Sequence, residues 1–560
     1  MTTCKVSKII FKNGFELPIS SNDIVVFVGP NNAGKSRTLK DIYNSFSNNN
    51  DNVIITDIVL DIQNPADLVY TISQYSHQRT ENGRTSYMGY TYEFDNYDIN
   101  GFETWTKINR RLVPFFISDI DTSLRLEQGN PANIIARDEP KKHPLHYIAN
   151  DEKYRHLISD NFERAFSNKL QIEKYNTKKN FLRIGESINI DTSLETIDEN
   201  MDRYERIMDS YPKVHEQGDG IKGFIGILLN IMMENYSVFL IDEPEAFLHQ
   251  PQAKVLGNEI PAILGDRQAF ISTHSSAFIR GLLEIAPERL KIVRITRDNN
   301  NNGFYVLDNN NIDAIWKDTL LKHSNILDSL FYKNVIVCES DSDCQFYSII
   351  LSWLKEQENR FPETLFVYSS TKHRLKVIAK ALKSLNIDFR VLPDIDILRK
   401  EEDDIQQLYI SCGGEWTKDL NDNYNEFNRY FEEEPHSIQA DELKRRFNEE
   451  IDKIGKELIT AHNLKDIKSS IKLVDKWKKI KKGGVDAIDN DSTKECFVFV
   501  DEKLKEAGIY VVKVGELERF IPINGEIHGP KWVNHVLENY PDISAPIYDK
   551  VKEYINSLGI

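Results

Sequence analysis

Ile24–Ser36 reads IVVFVGPNNAGKS. Five apolar, mostly β-branched residues run into Gly29-Pro30-Asn31-Asn32-Ala33-Gly34-Lys35-Ser36. This is G-x-x-x-x-G-K-S, a Walker A phosphate loop placed directly after an expected buried strand. Gly29 and Gly34 let the backbone N–H groups of the loop, Asn31 and Asn32 included, curl around a phosphate. The helix expected after it adds a positive dipole. Lys35 is then the group that reaches the β- and γ-phosphates of ATP, and Ser36 the Mg2+ ligand. A chain that opens this way is constrained to an α/β fold with the loop at a strand's C-terminal end.

The 560 residues suffice for two large or three to four smaller domains. A hydrophobic content of 40% and a charged content of 28% suit a globular protein in water. No run approaches a membrane span, and the N-terminus MTTCKVSKII lacks a signal-peptide core, so no membrane association is expected. The five cysteines, Cys4, Cys338, Cys344, Cys412 and Cys496, have no metal-ribbon or C-x-x-C spacing. Reduced thiols in a cytoplasmic protein are expected. The net charge of −17 argues against a general nucleic-acid coat. Lys465–Lys482 stands apart, with eight Lys against two Asp and Trp477 in its second half. It reads as a solvated helix face or a nucleic-acid contact.

VSKIIFKNGFELPI alternates like an edge hairpin. Val53–Leu60, Leu68–Gln74 and Tyr90–Phe94 read as antiparallel strands beside the nucleotide site. Residues 119–215 read as a helical insertion, with joints at Pro140–Pro144 and Gly218–Gly220. Ile221, Phe224, Ile225, Leu228, Leu229 and Met232 follow helical spacing. Gly218 and Gly220 stand at that helix's start, where backbone amides could meet an anion; a plain capped turn would look the same. Ser237–Glu245 is an apolar strand ending on Asp242-Glu243, a Walker B. Asp242 would hold Mg2+, and Glu243 would polarise the attacking water. Gln268–Ser276 is another buried strand that delivers His274 to its end, where ligands gather in parallel sheets. Two last strands and a connector fill 290–320.

A second chemical pattern follows. Asn334–Cys338 is a buried strand ending on Glu339, with Asp343 four residues on. Phe389–Leu392 ends on Asp394 and Asp396. A strand and a helix lie between, giving β-α-β-α-β with acids at two strand C-termini. Crowded carboxylates stay ionised together only with divalent cations, and oxygen donors suit Mg2+ or Mn2+. Such a set suits phosphoryl transfer at a phosphodiester. Residues 400–495, with EEDD, EEEP and the Lys run, read as a charged helical insertion. Cys496–Val500 and Ile509–Val514 read as returning strands.

The Walker A loop, the glycines before a helix, LIDEPEAFLH and STHS together resemble the ABC-type ATPase heads shared by chromosome-maintenance (SMC-type) and OLD proteins. That resemblance implies head-to-tail dimers in which Gly218-Asp219-Gly220 completes the partner's ATP site. It implies a switch role for His274. The chain lacks the transporters' LSGGQ and any long coiled coil. The Glu339-then-Asp394-x-Asp396 pattern resembles a TOPRIM domain, with Ser340 where many members carry Gly. Asp343 matches the second acid of OLD-type nucleases, and Val514–Glu518 resembles their GDLE segment, making Glu518 a further metal ligand. Lys531, in HGPKW, is the candidate for the family's charge-stabilising lysine.

The order of both halves resembles the OLD (overcoming lysogenization defect) family. The expected domains are an ABC-type ATPase (1–118 and 216–325), a helical dimerisation insertion (119–215), TOPRIM (326–520, with insertion 400–495) and a C-terminal helical extension (521–560). The resemblance implies an ATP-regulated, metal-dependent DNA nuclease, homo-oligomeric through its ATPase half, in bacterial anti-phage defence. Partners in such systems are a helicase (Gabija-like) or a reverse transcriptase with its RNA–DNA product (retrons). The rival class is an ATPase scaffold whose TOPRIM domain binds nucleic acid without cutting. A topoisomerase would need a catalytic Tyr in a separate domain, for which the segment after the last expected strand leaves no room.

Overall fold

In the computed structural model, all five residues of Ile24–Val28 are buried, and the strand has parallel neighbours on both sides. A β-branched run with no polar side chain can bury both faces, as a covered parallel sheet demands. Residues 1–560 are described except 48–50, 101, 103–104, 137–138, 140, 142, 174–177, 189–195, 300, 308–324, 401–403, 433–438, 456–457, 471–475 and 524–526. The expected connector over 308–320, the joint at Pro140 and most of the two acidic runs after 400 lie outside the described residues. The chain divides into two units, Met1–Lys317 and Asp318–Ile560.

In the first unit, β1 (Thr3–Phe11) and β2 (Glu16–Pro18) form the N-terminal hairpin. β3 is Ile24–Val28 and α1 is Lys35–Ser45. β4 (Ile55–Gln63) pairs antiparallel with β1. Leu68–Tyr75 is a helix, α2, where a strand was expected. Its buried residues are Leu68, Thr71 and Ile72, a spacing of three and four that makes one helical stripe. β5 (His77–Glu81), β6 (Arg84–Met88) and β7 (Glu93–Asp95) form a small antiparallel sheet. The strand expected from Tyr90 begins only at Glu93, because Tyr92 turns inward and donates to the Tyr75 carbonyl at 2.9 Å.

α3 (Val113–Phe116) leads into β8 (Ile117–Ile120), which pairs with the Walker B strand. The main sheet therefore reaches past the expected boundary at 118. α4 (Thr122–Glu127), β9 (Ala132–Asn133), α5 (Pro144–Asn150), α6 (Glu152–Phe166), β10 (Leu170–Ile172), β11 (Lys179–Asn180), β12 (Leu182–Ile184) and α7 (Ile197–Ser210) follow. This stretch is thus helical with two short ribbons, β9–β11 and β10–β12. α8 (Asp219–Ile231), β13 (Val238–Asp242), α9 (Gln250–Leu264), β14 (Gln268–Ser272), α10 (Ser276–Ile285), β15 (Leu290–Asp298) and β16 (Asn301–Val306) complete the unit. The main sheet runs β16-β15-β3-β14-β13-β8, parallel throughout except for β16. The ends of β3, β13 and β14 consequently open on one edge, which is where a parallel sheet binds ligands.

In the second unit, β17 (Asn334–Cys338), α11 (Asp341–Gln357), β18 (Thr364–Tyr368), α12 (Leu375–Ser384) and β19 (Phe389–Leu392) form a parallel sheet of order β18-β17-β19. α13 (Asp404–Ser411), α14 (Lys418–Glu432), α15 (Ala440–Ile454), α16 (Ala461–Ser470) and α17 (Lys476–Gly483) follow. Cys496–Val500 is not a strand. It lies inside α18 (Asp491–Glu506), capped by Asn490, with Phe497, Val500 and Leu504 buried at helical spacing. Ile509–Val512 runs beside β19 through single parallel bridges to Val391 and Asp394, an irregular fourth strand. α19 (Pro530–Asn539) and α20 (Asp549–Asn556) pack on α11. Trp532 is wholly buried and meets Phe346 edge-on at 5.0 Å, so residues after 520 belong to this core.

Ile271 sits at the centre of the first unit's sheet with no exposure. Ile271→Ala should cost about 2–5 kcal/mol, the range for emptying a packed core site. The measurement is urea unfolding; an unchanged midpoint would contradict this packing.

Candidate functional site

The phosphate loop leaves β3 through Gly29, whose φ of +144° and position 2.1 Å (for an added Cβ) from the Ile295 carbonyl oxygen admit no side chain. Asn32 turns the loop in the left-handed region, and Asn302 of β16 donates to the Ala33 carbonyl at 2.8 Å. Asn31, Asn32 and Ser36 are exposed. Lys35 is buried and folds back on the loop, donating to the Gly29 and Pro30 carbonyls at 2.9 and 3.0 Å. Burial lowers its ammonium to about 8, against the pull of Glu243, Glu245 and Asp242. These contacts make a lysine held inside the loop, where a phosphate would replace two carbonyls.

Asp242 ends β13 beside β14, and Ser272 donates its hydroxyl to the Asp242 carboxylate. Glu243 adopts φ +46°, a left-handed conformation that costs a non-glycine residue on the order of 1 kcal/mol. Arg125 opposes that cost. It is fully buried on α4 and donates to the carbonyls of Asp242 and Glu243 at 3.0 and 2.7 Å. The Glu243 carboxylate lies 3.5 Å from His274 Nε2. Burial, then the Lys35 charge, lowers His274 to about 4, so its ring is neutral at pH 7. Its backbone N–H donates to Glu245 at 2.6 Å. Lys35, Asp242, Glu243 and His274 are therefore electrostatically linked at one sheet edge. Gly218 caps α8 in open space, while a Cβ at Gly220 would meet the Phe247 carbonyl. No hydrogen bond or ion pair joins them to the phosphate loop among the described residues.

In the second unit, carboxylate oxygens of Glu339, Asp394 and Asp396 all lie within 4.8 Å of one another. Glu339 follows β17 and accepts the Asp394 N–H at 3.0 Å. Burial and then the Asp396 charge push Glu339 up to about 7. Asp394 is pushed well above the carboxylate range by burial and then by Glu339. Asp343 caps α11, accepting the Ser340 N–H at 2.8 Å, and burial raises it too. Its charge acts on Glu339 and Asp394 and it feels Glu518, so it stands between two acid groups. The second group is Glu516, Glu518 and His528, also within 4.8 Å. Glu518 accepts the Gly529 N–H at 2.8 Å. Lys531 is exposed on the first turn of α19, with no ion pair to these acids among the described residues. The lysine that does reach them is Lys481, 3.2 Å from Asp396 and 3.9 Å from Glu516.

Sequence reasoning missed Arg125, Ser272 and Lys481. Ser272 carried a signal, its register opposite the Walker B acid. Arg125 carried none, because it binds backbone carbonyls more than a hundred residues away. Lys481 was hidden in a charge run whose Trp477 and Ile480, three apart, marked a buried face.

The first unit is an α/β unit whose mostly parallel sheet carries the G-x-x-x-x-G-K-S loop at a strand end, and the second is an α/β unit that gathers carboxylate oxygens. No protein-family model matches the chain, and no curated protein matches it. Among solved structures it is similar to an Smc head bound to the C-winged helix domain of ScpA, at 12% identity over 54% of this chain and 97% of that one, TM-score 0.33. It is also similar to the SMC head domain from Thermotoga maritima, at 14% identity over 54% and 99%, TM-score 0.29. A third is an ATP-binding cassette of an ABC transporter in its ADP conformation, at 13% identity over 57% and 97%, TM-score 0.26. Among the described residues no helix is long and apolar enough to cross a membrane.

The half-buried His274 gives a pH test. Between about 4 and its ordinary 6.5, the unfolded chain holds this proton and the folded chain does not. Its contribution to stability is complete above 6.5 and is lost as pH falls through that window. His274→Gln should flatten the pH dependence of unfolding free energy between pH 4 and 6.5 relative to wild type. Superimposable profiles would contradict the lowered, neutral ring.

Proposed function

We propose that this chain is an ATP-regulated, divalent-metal-dependent DNA endonuclease of the OLD type, an ABC-type ATPase head followed by a TOPRIM domain. The observation that carries this reading is the convergence of Glu339, Asp394 and Asp396, 57 residues apart in sequence, at the ends of adjacent parallel strands. Burial, then neighbouring carboxylate charge, raises Glu339 and Asp394, and a crowded acid set of this kind suits a divalent cation. Glu339, Asp394 and Asp396 would hold one Mg2+ or Mn2+, and Asp343 with Glu518 a second. When bound, such ions supply an activated water and charge compensation at a phosphodiester. Glu339 also fixes the Asp394 backbone, so it orients the acid pair as well as contributing charge.

In the ATPase unit, Lys35 exchanges its carbonyl partners for nucleotide phosphates, and Ser36 and Asp242 hold Mg2+. Glu243, beside the neutral His274, orients the water that attacks the γ-phosphate. Gly218 is exposed and Gly220 half-buried, and both would serve a homodimer through the ATPase half. The resemblance to OLD proteins extends the proposal to cytoplasmic anti-phage defence beside a helicase, or beside a reverse transcriptase with its RNA–DNA product.

A plasmid-cutting assay with Mg2+ or Mn2+ tests this. Asp394→Ala/Asp396→Ala should reduce cutting roughly a hundredfold or more, as loss of a metal site does. Lys35→Ala should abolish ATP turnover and the effect of ATP on cutting. Undiminished cutting by the acid variant would overturn the nuclease. ATP turnover with no cutting of any DNA would favour the scaffold.

A further inference from the structure

In a chain of net charge −17, α17 is a concentrated positive element, KWKKIKKG. It is not a loose surface helix. Trp477 and Ile480 are buried, and Trp477 stacks on Phe431 with ring centroids 4.2 Å apart. Lys476 donates to the Tyr430 carbonyl at 2.6 Å and lies over that ring. The helix end is pressed against the segment that carries Glu516 and Glu518. A Cβ at Gly515, φ +113°, would stand 2.2 Å from the Lys481 carbonyl oxygen. Val485 N–H donates to the Lys513 carbonyl at 2.9 Å. This backbone contact fixes where Lys481 stands, with its ammonium on Asp396 and Glu516.

Lys478 lies one turn before Lys481, nearly on the same face, and Lys479 is beside it. Both are exposed. One helix thus carries an ammonium at the acids and two more leading away from them into solvent. The acids themselves repel a phosphodiester, so a polyanion can approach only where fixed positive charge offsets them.

We propose that α17 is the DNA-backbone clamp of the carboxylate site. Lys481 exchanges a carboxylate for the phosphate that lies at the acids, and Lys478 and Lys479 hold neighbouring phosphates of the same strand. This rests on reading the second unit as a DNA-acting site, but it concerns binding and not cutting.

The test is fluorescence anisotropy of the full chain with a labelled 20-nucleotide single-stranded DNA, calcium in place of magnesium, across a salt series. Lys478→Ala/Lys479→Ala should weaken binding about tenfold and lower the slope of log affinity against log salt by about 1.4, two phosphate contacts' worth. Lys481→Ala should lower it by about 0.7, and Lys481→Arg should restore it. Lys444→Ala/Lys453→Ala, the same charge loss on α15, should change neither. Wild-type affinity and slope in the Lys478/Lys479 variant overturn the proposal. So does an equal loss in the α15 variant, or no DNA binding by the wild type. DNA binding through α17 without cutting refutes the nuclease alone; cutting with unaltered binding in the variants refutes the clamp alone.

Discussion

Mutual repulsion among Glu339, Asp394 and Asp396 is the constraint around which the second unit is built. Oxygens within 4.8 Å of one another carry about 3 kcal/mol of repulsion per ionised pair at an effective dielectric near 20. Burial is the larger cause and this repulsion the next, and together they hold Glu339 and Asp394 above the carboxylate range. Three such pairs rival the whole stability of a domain, roughly 5–15 kcal/mol. The group persists because the parallel register of β17 and β19 places their ends side by side, and because Lys481 supplies one positive charge from α17. One ammonium does not balance three carboxylates with Asp343 and Glu516 beside them. That imbalance is why the proposed site calls for divalent cations.

The first unit meets a related problem with the opposite sign. Burial lowers Lys35 to about 8 against the pull of Glu243, Glu245 and Asp242, and inside the loop it donates to Gly29 and Pro30. At the end of β13, Glu243 keeps a left-handed backbone, which Arg125 holds through two carbonyls. Arg125 belongs to the stretch after β8, and α4 packs on α8, the helix headed by Gly218. Arg125 thus joins the end of β13 to the middle of α8, where it lies against Gly223 and Gly226.

Strand-terminal chemistry was legible because it couples a residue type to the end of a periodic apolar run. Lys35, Asp242, His274, Glu339 and the Asp394/Asp396 pair all stand in that position, and the sheets deliver them to two edges. Short apolar runs without an adjacent chemical marker were not legible. Leu68–Gln74 and Cys496–Val500 each fit strand and helix alike over five to seven residues, and tertiary burial chose the helix. Arg125 and Lys481 were illegible for a different reason. Arg125's carbonyl partners and Lys481's Asp396 lie more than eighty residues away and are reached through packing that no local pattern encodes.

The central claim is that Glu339, Asp394 and Asp396 form a divalent-metal site. Titration of Mn2+ into the full chain at pH 8, followed by electron paramagnetic resonance, tests it without reference to any substrate. Saturable binding that Mg2+ displaces, and that Glu339→Gln/Asp394→Asn abolishes in a folded protein, is the predicted result. The same number of ions bound with the same affinity by wild type and variant would contradict it.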